Sequence, residues 1–471
     1  MKKRYFKKTG ALIAAFTVML TCLLSVSIPQ RVYAEDYWPE GISVGAEGAI
    51  VMDQATGTVL YAKNEHEQLY PASITKVMTA LLAIENSEMD ETVTFSPESI
   101  YNIEAGSSSI ARDVGEVMTM EQCLYGLMLE SANECAYAIA EHVGSKYGED
   151  GYETFINMMN EKAKELGCTD SHFCNPHGLP EDEHYVSAYD MALIAQAALQ
   201  HNEFVKIIGT RHYTIPPTNK HSMETNLNNQ HGMFSSWRTT QYLYDYCIGG
   251  KTGYTDLARH TLVTYARKDG MTLICVVLKC EGQTHYTDTI NLMDYCFNNF
   301  AESQIPTDNG ILTNGNEKKD LGELGLDIEL IKPESGGMIV LPVDVSINNA
   351  NWEIKSKTDE ENPDVVGEIE YTYAGRVVGR TDLLYSANDI NVYPFSNDEF
   401  EEGEEPYAII DLWGIVKIVL IVIAGLLLVV ILIKAIPVVQ EKYFRFKNSR
   451  KRDPHKNLTR IDRPRKRRRR R

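Results

Sequence analysis

A chain of 471 residues is long enough for two to three folded units once non-globular ends are set aside. The formal net charge is −19, yet the last thirty residues are strongly basic, so the body is more acidic than the sum implies and nucleic-acid binding by it is excluded. Nine cysteines at irregular spacing, in a protein this large, exclude a disulfide scaffold.

Met1–Ala34 reads as a secretory signal. Lys2, Lys3, Arg4, Lys7 and Lys8 form its basic start, Ala11–Val26 its apolar stretch, and Ala34 the small residue before the cut at Glu35. The alternative is an uncleaved anchor; the chain beyond Ala34 is exported either way. From there to residue 300 strands and helices mix. Ala49–Asp53 and Thr58–Lys63, joined through Gln54-Ala55-Thr56-Gly57, predict a β-hairpin. Helical patterns follow Ser73 and cover Thr119–Glu130, Asn133–Val143, Tyr152–Leu166 and Ala188–Gln200. The stretch around Lys251 is β-like, and His260–Arg267 and Met271–Lys279 flank the turn Lys268-Asp269-Gly270. Strands at both ends of a helical middle predict one sheet built from distant segments and packed against helices, an α/β (α+β) domain over 35–300.

Composition shifts near Ala301. Thr307–Lys319 reads as a linker, and Leu321–Asn388 is strand-like, clearest in the hairpin Val366–Tyr373, Ala374-Gly375, Arg376–Leu384. Residues 301–400 are therefore expected to hold a linker and a small all-β domain, ending near the acidic Phe400–Glu405. Leu412–Val439 contains the unbroken apolar run Ile418–Ile433, long enough to cross a hydrocarbon core of about 30 Å, with Lys417 and Lys434 placed to snorkel. The basic tail, 440–471, is expected inside, giving the order outside, membrane, inside. Its arginine run, Arg465–Arg471, fits an inner-leaflet anchor better than a nucleic-acid arm, because it follows a spanning segment.

The chemistry centres on Tyr70-Pro71-Ala72-Ser73-Ile74-Thr75-Lys76. Pro71 is tolerated at a helix entrance, so Ser73 falls at the first turn, where free N–H groups favour developing negative charge. Lys76 is three residues on, on the same face as the serine hydroxyl. A serine needs a neighbouring base, and a lysine is one when burial and nearby cations lower its pKa. Both residue types are common, so a chain this long holds about two Ser-x-x-Lys matches by chance, each a capped helix with a surface lysine. Two further stretches, Ser131-Ala132-Asn133 and Lys251-Thr252-Gly253, come in the order that penicillin-recognising serine enzymes require.

On these three motifs the chain resembles the low-molecular-mass penicillin-binding proteins that are serine D-alanyl-D-alanine carboxypeptidases (peptidase family S11). Asn175-Pro176-His177-Gly178-Leu179, the stretch His184–Met191 and Gly249–Thr255 extend the likeness. The resemblance implies a β-lactamase/transpeptidase-like fold, an antiparallel sheet flanked by helices, followed by the β-rich domain and membrane attachment. It implies that Ser73 forms an acyl-enzyme, Lys76 is its general base, Ser131 relays a proton and Asn133 orients Lys76. Lys251 and Thr252 would bind the substrate's terminal carboxylate, with Lys251 also helping to keep Lys76 neutral. Backbone N–H groups of Ser73 and Tyr254 would form the oxyanion hole, and Gly253 would let the strand edge approach the substrate. The implied partners are peptidoglycan stem peptides, β-lactam antibiotics and the membrane; no cofactor or metal is implied. Two features depart from the family: Glu134 stands where relatives often have Asp, and the anchor spans rather than lying on the surface.

Other residues give weaker signals. His177 is expected to structure its loop rather than act as a base. Cys168, His172, Cys174 and His177 have metal-capable side chains but lack a second paired cluster. The rival functions are a β-lactamase, whose deacylating motif Glu181-Asp182-Glu183 does not resemble, and a non-catalytic wall-binding or sensor protein.

Overall fold

Strands from opposite ends of the domain meet in one antiparallel sheet. In the computed structural model, which describes residues 37–307, 331–357 and 362–385, β1 (Gly48–Asp53) and β2 (Val59–Lys63) precede the helices, and β3 (Cys247–Thr255), β4 (Arg259–Lys268) and β5 (Met271–Cys280) come after them. The order across the sheet is β2-β1-β5-β4-β3, with Ile50 opposite Val276 and Val51 opposite Cys275 where the two groups join. Successive side chains face opposite sides. Ile50, Met52, Val263, Tyr265, Ile274 and Val276 enter one core; Ala49, Val51, Leu262, Leu273, Cys275 and Val277 enter another. A sheet covered on both faces needs no polar alternation, which is why β5 reads as a nearly continuous apolar run. The β4–β5 turn is the two-residue loop Asp269-Gly270, with φ of 52° and 96°, the left-handed pair a type I′ hairpin demands.

The first core is closed by α1 (Lys76–Asn86), α2 (Met120–Leu129), α3 (Asn133–Gly144), α4 (Gly151–Glu165) and α5 (Ala188–Leu199), near the expected spans. Side chains fix their starts: Thr119 and Gln122 form a capping box on α2, Asp150 caps α4 and Ser187 caps α5. Three helices were not expected: the short Pro97–Tyr101, α6 (Asn202–Ile208) and α7 (Thr284–Asn299). The α7 sequence is rich in Thr, Asn and Asp, which favour caps and turns. It is helical because Tyr286, Leu292, Met293 and Cys296 bury themselves on the second sheet face.

A second antiparallel sheet comes next: β6 (Phe300–Gln304), β7 (Ile331–Pro333), β8 (Met338–Pro342), β9 (Asn351–Ser356), β10 (Val365–Tyr373) and β11 (Arg376–Tyr385). The path is β6-β8-β11-β10-β9, with β7 on β11. Ala374-Gly375, at φ 50° and 71°, is the tight turn expected there. Phe300 pairs with Pro342, so the second sheet begins where α7 ends.

All eight cysteines from Cys123 to Cys296 are free thiols, and only Cys174 is not buried. Among the described residues no helix is long and apolar enough to cross a membrane. The secretory segment, residues 308–319 of the linker, Phe400–Glu405, Leu412–Val439 and the basic tail lie outside the described residues.

Candidate active site

Ser73 sits in a single 3₁₀ turn, Ala72–Thr75, and the α-helix begins only at Lys76. This is tighter than the first α-turn expected. The turn is clamped from two sides: the Pro71 carbonyl accepts Thr261 Oγ1 of β4 at 2.7 Å, and Thr75 Oγ1 lies 2.9 Å from His184 Nε2. Ala72 takes a left-handed φ of 51° to make the bend, a conformation rare outside glycine and held here by these clamps. The loop Asn175–Gly178 closes over it. A Cβ on Gly178 would stand 1.8 Å from the Ala72 carbonyl, so only glycine fits.

Lys76 is fully buried, and its Nζ has three neighbours: Ser73 Oγ at 3.0 Å, Asn133 Oδ1 at 2.7 Å and the His177 carbonyl at 2.6 Å. The last two only accept. A neutral amine has two N–H donors and one lone pair, so donating to both acceptors leaves the lone pair for the serine O–H. The Asn133 amide is oriented by Nδ2 donating to Ser107 Oγ at 2.9 Å, which fixes Oδ1 toward the lysine. Burial first, and then the charge of Lys251, hold Lys76 well below the usual lysine range; Glu134 opposes them.

Ser131 lies between α2 and α3 with a left-handed φ of 62°. Its Oγ is buried without a hydrogen-bond partner. Lys251 is 1% exposed in β3, donates to the Thr252 carbonyl at 2.8 Å, and is pulled down to about 7 by burial, against the opposing charge of Glu130. A cleft of about 690 Å³ runs over this group, lined by Ser73, Ser107, Ser131, Thr252, Gly253 and Tyr254. The eight expected site residues thus fall in the lining or directly beneath it. At Gly253 the structure adds a reason the sequence did not show. A Cβ there would meet Thr261 Oγ1 at 2.3 Å and the Ser73 nitrogen at 3.0 Å, so the missing side chain makes room for the nucleophile's own turn.

The sequence reading missed several contributors. The backbone of His177, rather than its ring, serves Lys76; the ring Nδ1 accepts Leu179 N within its own loop at 3.2 Å. The Ser107–Ser109 run forms the far wall, and only its local serine richness marks it in the sequence. Glu134 holds that wall, accepting Ser109 Oγ and the Ile110 nitrogen, both at 2.7 Å. Cys168 Sγ is 3.6 Å from the Asp190 carbonyl on α5, and Cys174 Sγ is 3.6 Å from His172 Nδ1 in its own loop. Glu181 accepts Asn175 Nδ2 at 2.7 Å and so braces the loop over the serine.

A serine hydrogen-bonded to a buried lysine whose pKa burial holds well below the usual range, beside a second lysine on an edge strand, is an arrangement that can carry serine acyl transfer. The family model for peptidase S11, D-alanyl-D-alanine carboxypeptidase, matches residues 35–282, and the chain belongs to that family. It is 32% identical over 325 residues to the D-alanyl-D-alanine carboxypeptidase DacF of Bacillus subtilis, covering 68% of this chain and 78% of the relative. Against the D-alanyl-D-alanine carboxypeptidase of Streptomyces sp. K15 identity is 32% over 298 residues, covering 61% of this chain and 95% of that one. The crystal structure of the Streptomyces K15 DD-transpeptidase superposes with a TM-score of 0.50 at 31% identity, over 55% of this chain and 99% of its own. Penicillin-binding protein 6B of Escherichia coli shares the fold, with a TM-score of 0.54 at 24% identity over 74% of this chain and 98% of its own.

Proposed function

We propose that the protein is a serine D-alanyl-D-alanine carboxypeptidase that removes the terminal D-alanine of peptidoglycan stem peptides. The observation that carries this reading is the set of neighbours around Lys76 Nζ, two obligate acceptors and the Ser73 hydroxyl. Lys76 takes the Ser73 proton as Oγ bonds to the carbonyl carbon between the two D-alanines. The oxyanion is stabilised by the backbone N–H groups of Ser73 and Tyr254. Ser131 passes a proton to the departing amine, D-alanine leaves, and water then cleaves the Ser73 ester to release the shortened peptide. Lys251 and Thr252 receive the terminal carboxylate.

A β-lactam meets the same serine, and its tethered amine hinders the incoming water, so the adduct is long-lived. Mass spectrometry of the full-length protein after penicillin tests the reading. One adduct on Ser73 is expected, and none on a Ser73→Ala variant, which also loses D-alanine release. An adduct on that variant would sink the assignment.

The finer placement belongs to the same proposal. The secretory segment exports the body, Leu412–Val439 spans the membrane and the basic tail stays inside; the apolar run and its basic flank support this. Protease added outside intact cells should digest the body and spare a tag after Arg471. A tag cut from outside would reverse the orientation.

A further inference from the structure

The lone pair of Lys76 is free for Ser73 only while Asn133 presents Oδ1, and not Nδ2, to the amine. The two ends of an amide differ little in size, so polarity makes the choice. With the amide turned over, Nδ2–H would point at Nζ and take the lone pair, and Lys76 could only donate to Ser73. The base would be disarmed with every side chain still in place.

What sets the amide lies outside the three motifs. Ser107 Oγ accepts Asn133 Nδ2 at 2.9 Å and donates its single proton to the Glu104 carbonyl at 2.7 Å. A carbonyl only accepts, so the serine proton is committed there and a lone pair is left for the amide. The chain of bonds therefore runs one way, from Ser73 Oγ through Lys76 Nζ and the Asn133 amide to Ser107 Oγ and the Glu104 carbonyl. Its steps are 3.0, 2.7, 2.9 and 2.7 Å. The carbonyl at its end is itself held, because it also accepts the Ser107 nitrogen at 3.1 Å and closes a tight turn. Gly106, at φ 85°, takes the left-handed third position of that turn. A Cβ on Gly106 would meet nothing within 4 Å, so the backbone angle alone calls for glycine. Beyond the turn the Ser108 carbonyl accepts the Asn133 nitrogen at 2.9 Å, and Glu134 accepts Ser109 Oγ and the Ile110 nitrogen. The segment is thus fastened to the start of α3 at both residues, with the Asn133 amide between them and Lys76.

We propose that Ser107 is a positioning residue for the general base: with its own proton held by the Glu104 carbonyl, it accepts Asn133 Nδ2, fixes the polarity of the chain and so keeps the Lys76 lone pair on Ser73. This rests on the reading of Lys76 as the base that takes the Ser73 proton. Asn133 is 2% exposed, so without the Ser107 hydroxyl its Nδ2 is left buried with no acceptor. The penalty for stranding a buried donor is large enough to turn the amide over. The acylation rate then falls with the fraction of amides still turned the right way, by about 10- to 100-fold. Ser107 is half-buried and lines the cleft, so a contact with the ligand is the alternative that the test has to separate.

The test uses full-length protein in detergent and stopped-flow acylation by a fluorescent penicillin, which separates the non-covalent Kd from the acylation rate constant. Ser107→Ala should lower the rate constant about 10- to 100-fold and leave Kd within about twofold. Ser107→Thr, which keeps the hydroxyl, should stay within about fivefold of wild type. On an Asn133→Asp background both side-chain oxygens accept and there is no amide to turn, so Ser107→Ala should cost about threefold or less there. One adduct per chain at long times establishes that each variant folds. An unchanged rate constant in Ser107→Ala would overturn the proposal. So would a loss carried by Kd, which would make Ser107 a contact of the ligand. An equal loss in Ser107→Thr or on the Asn133→Asp background would assign the effect to the shape of the loop and overturn it as well. Failure of the underlying reading shows separately, as a Lys76→Ala protein acylated at the wild-type rate or a wild-type protein that binds penicillin yet releases no D-alanine.

Discussion

The hydrogen bond from Lys76 to Asn133 Oδ1 allows a nearly isosteric test of the charge state on which the chemistry depends. Asn133→Asp keeps the shape of the side chain but places a carboxylate 2.7 Å from Nζ. At an effective dielectric of about 20, opposite charges at the 2.7 Å spacing attract by about 6 kcal/mol. Desolvation of the new carboxylate takes back much of this, leaving a rise of about 1–3 units in the Lys76 pKa. Lys76 must be uncharged to accept the Ser73 proton. Raising its pKa therefore lowers the reactive fraction at every pH below the new value, and the deficit closes as pH rises. The assay is the second-order rate of acylation by a fluorescent penicillin between pH 5 and 10. Taking the ratio of variant to wild type cancels the common loss of the Lys251 ammonium. The ratio should be down about 10- to 1000-fold near neutrality and recover about tenfold per unit on the way up. A ratio near one at pH 7, or a deficit that stays flat with pH, would refute the neutral-lysine mechanism.

The same geometry sets four further outcomes. Gly253→Ala should slow acylation by about 10²–10³-fold, because the added methyl meets Thr261 and the Ser73 nitrogen and forces the oxyanion strand away from the nucleophile; stopped-flow acylation measures it. Lys251→Ala should cost an acid peptide far more than its amide in kcat/KM, since it removes the anion's partner; equal losses would place Lys251 in the lysine–serine chemistry. Glu302, raised to about 9 chiefly by burial and then by Asp53, holds a proton in the native state that it releases on unfolding, so this site loses stability as pH rises from about 4.5 to 9. Glu302→Gln should therefore raise Tm at pH 8 and leave it unchanged near pH 4, in paired thermal melts. Thiol counting on denatured, alkylated protein should find the cysteines from Cys123 to Cys296 free, and fewer than four would contradict the fold's buried thiols.

Much of this was legible because it rests on local spacing. Ser73 and Lys76 are near neighbours whose geometry the helix entrance decides, and the Asp269-Gly270 and Ala374-Gly375 turns announce themselves by residue type. The hidden parts depend on distant chain. Nothing in the sequence of α7 marks it as a helix, since its Thr, Asn and Asp residues speak for turns and its burial against the sheet is tertiary. The same holds for the His177 carbonyl, because every residue carries one and only the fold says which meets Lys76. Gly253 was visible as a special position, but its neighbours were not, and the crowding at Thr261 and Ser73 shows only in the fold.

The two lysines carry opposite requirements. Lys76 must be uncharged to act and Lys251 charged to recognise a carboxylate, yet both are buried, and burial alone would neutralise both. What separates them is their neighbours. Lys76 has two carbonyl acceptors within 2.7 Å, which an amine satisfies without a charge, and the field of Lys251 besides. Lys251 has the supporting charge of Glu130. A rising pH therefore favours the base and disfavours the recognition. kcat/KM for an acid peptide should fall as pH rises through the Lys251 titration, which burial pulls down to about 7. A substitution that moves one of the two titrations shifts one limb of that profile, and the limb that moves identifies which lysine was touched.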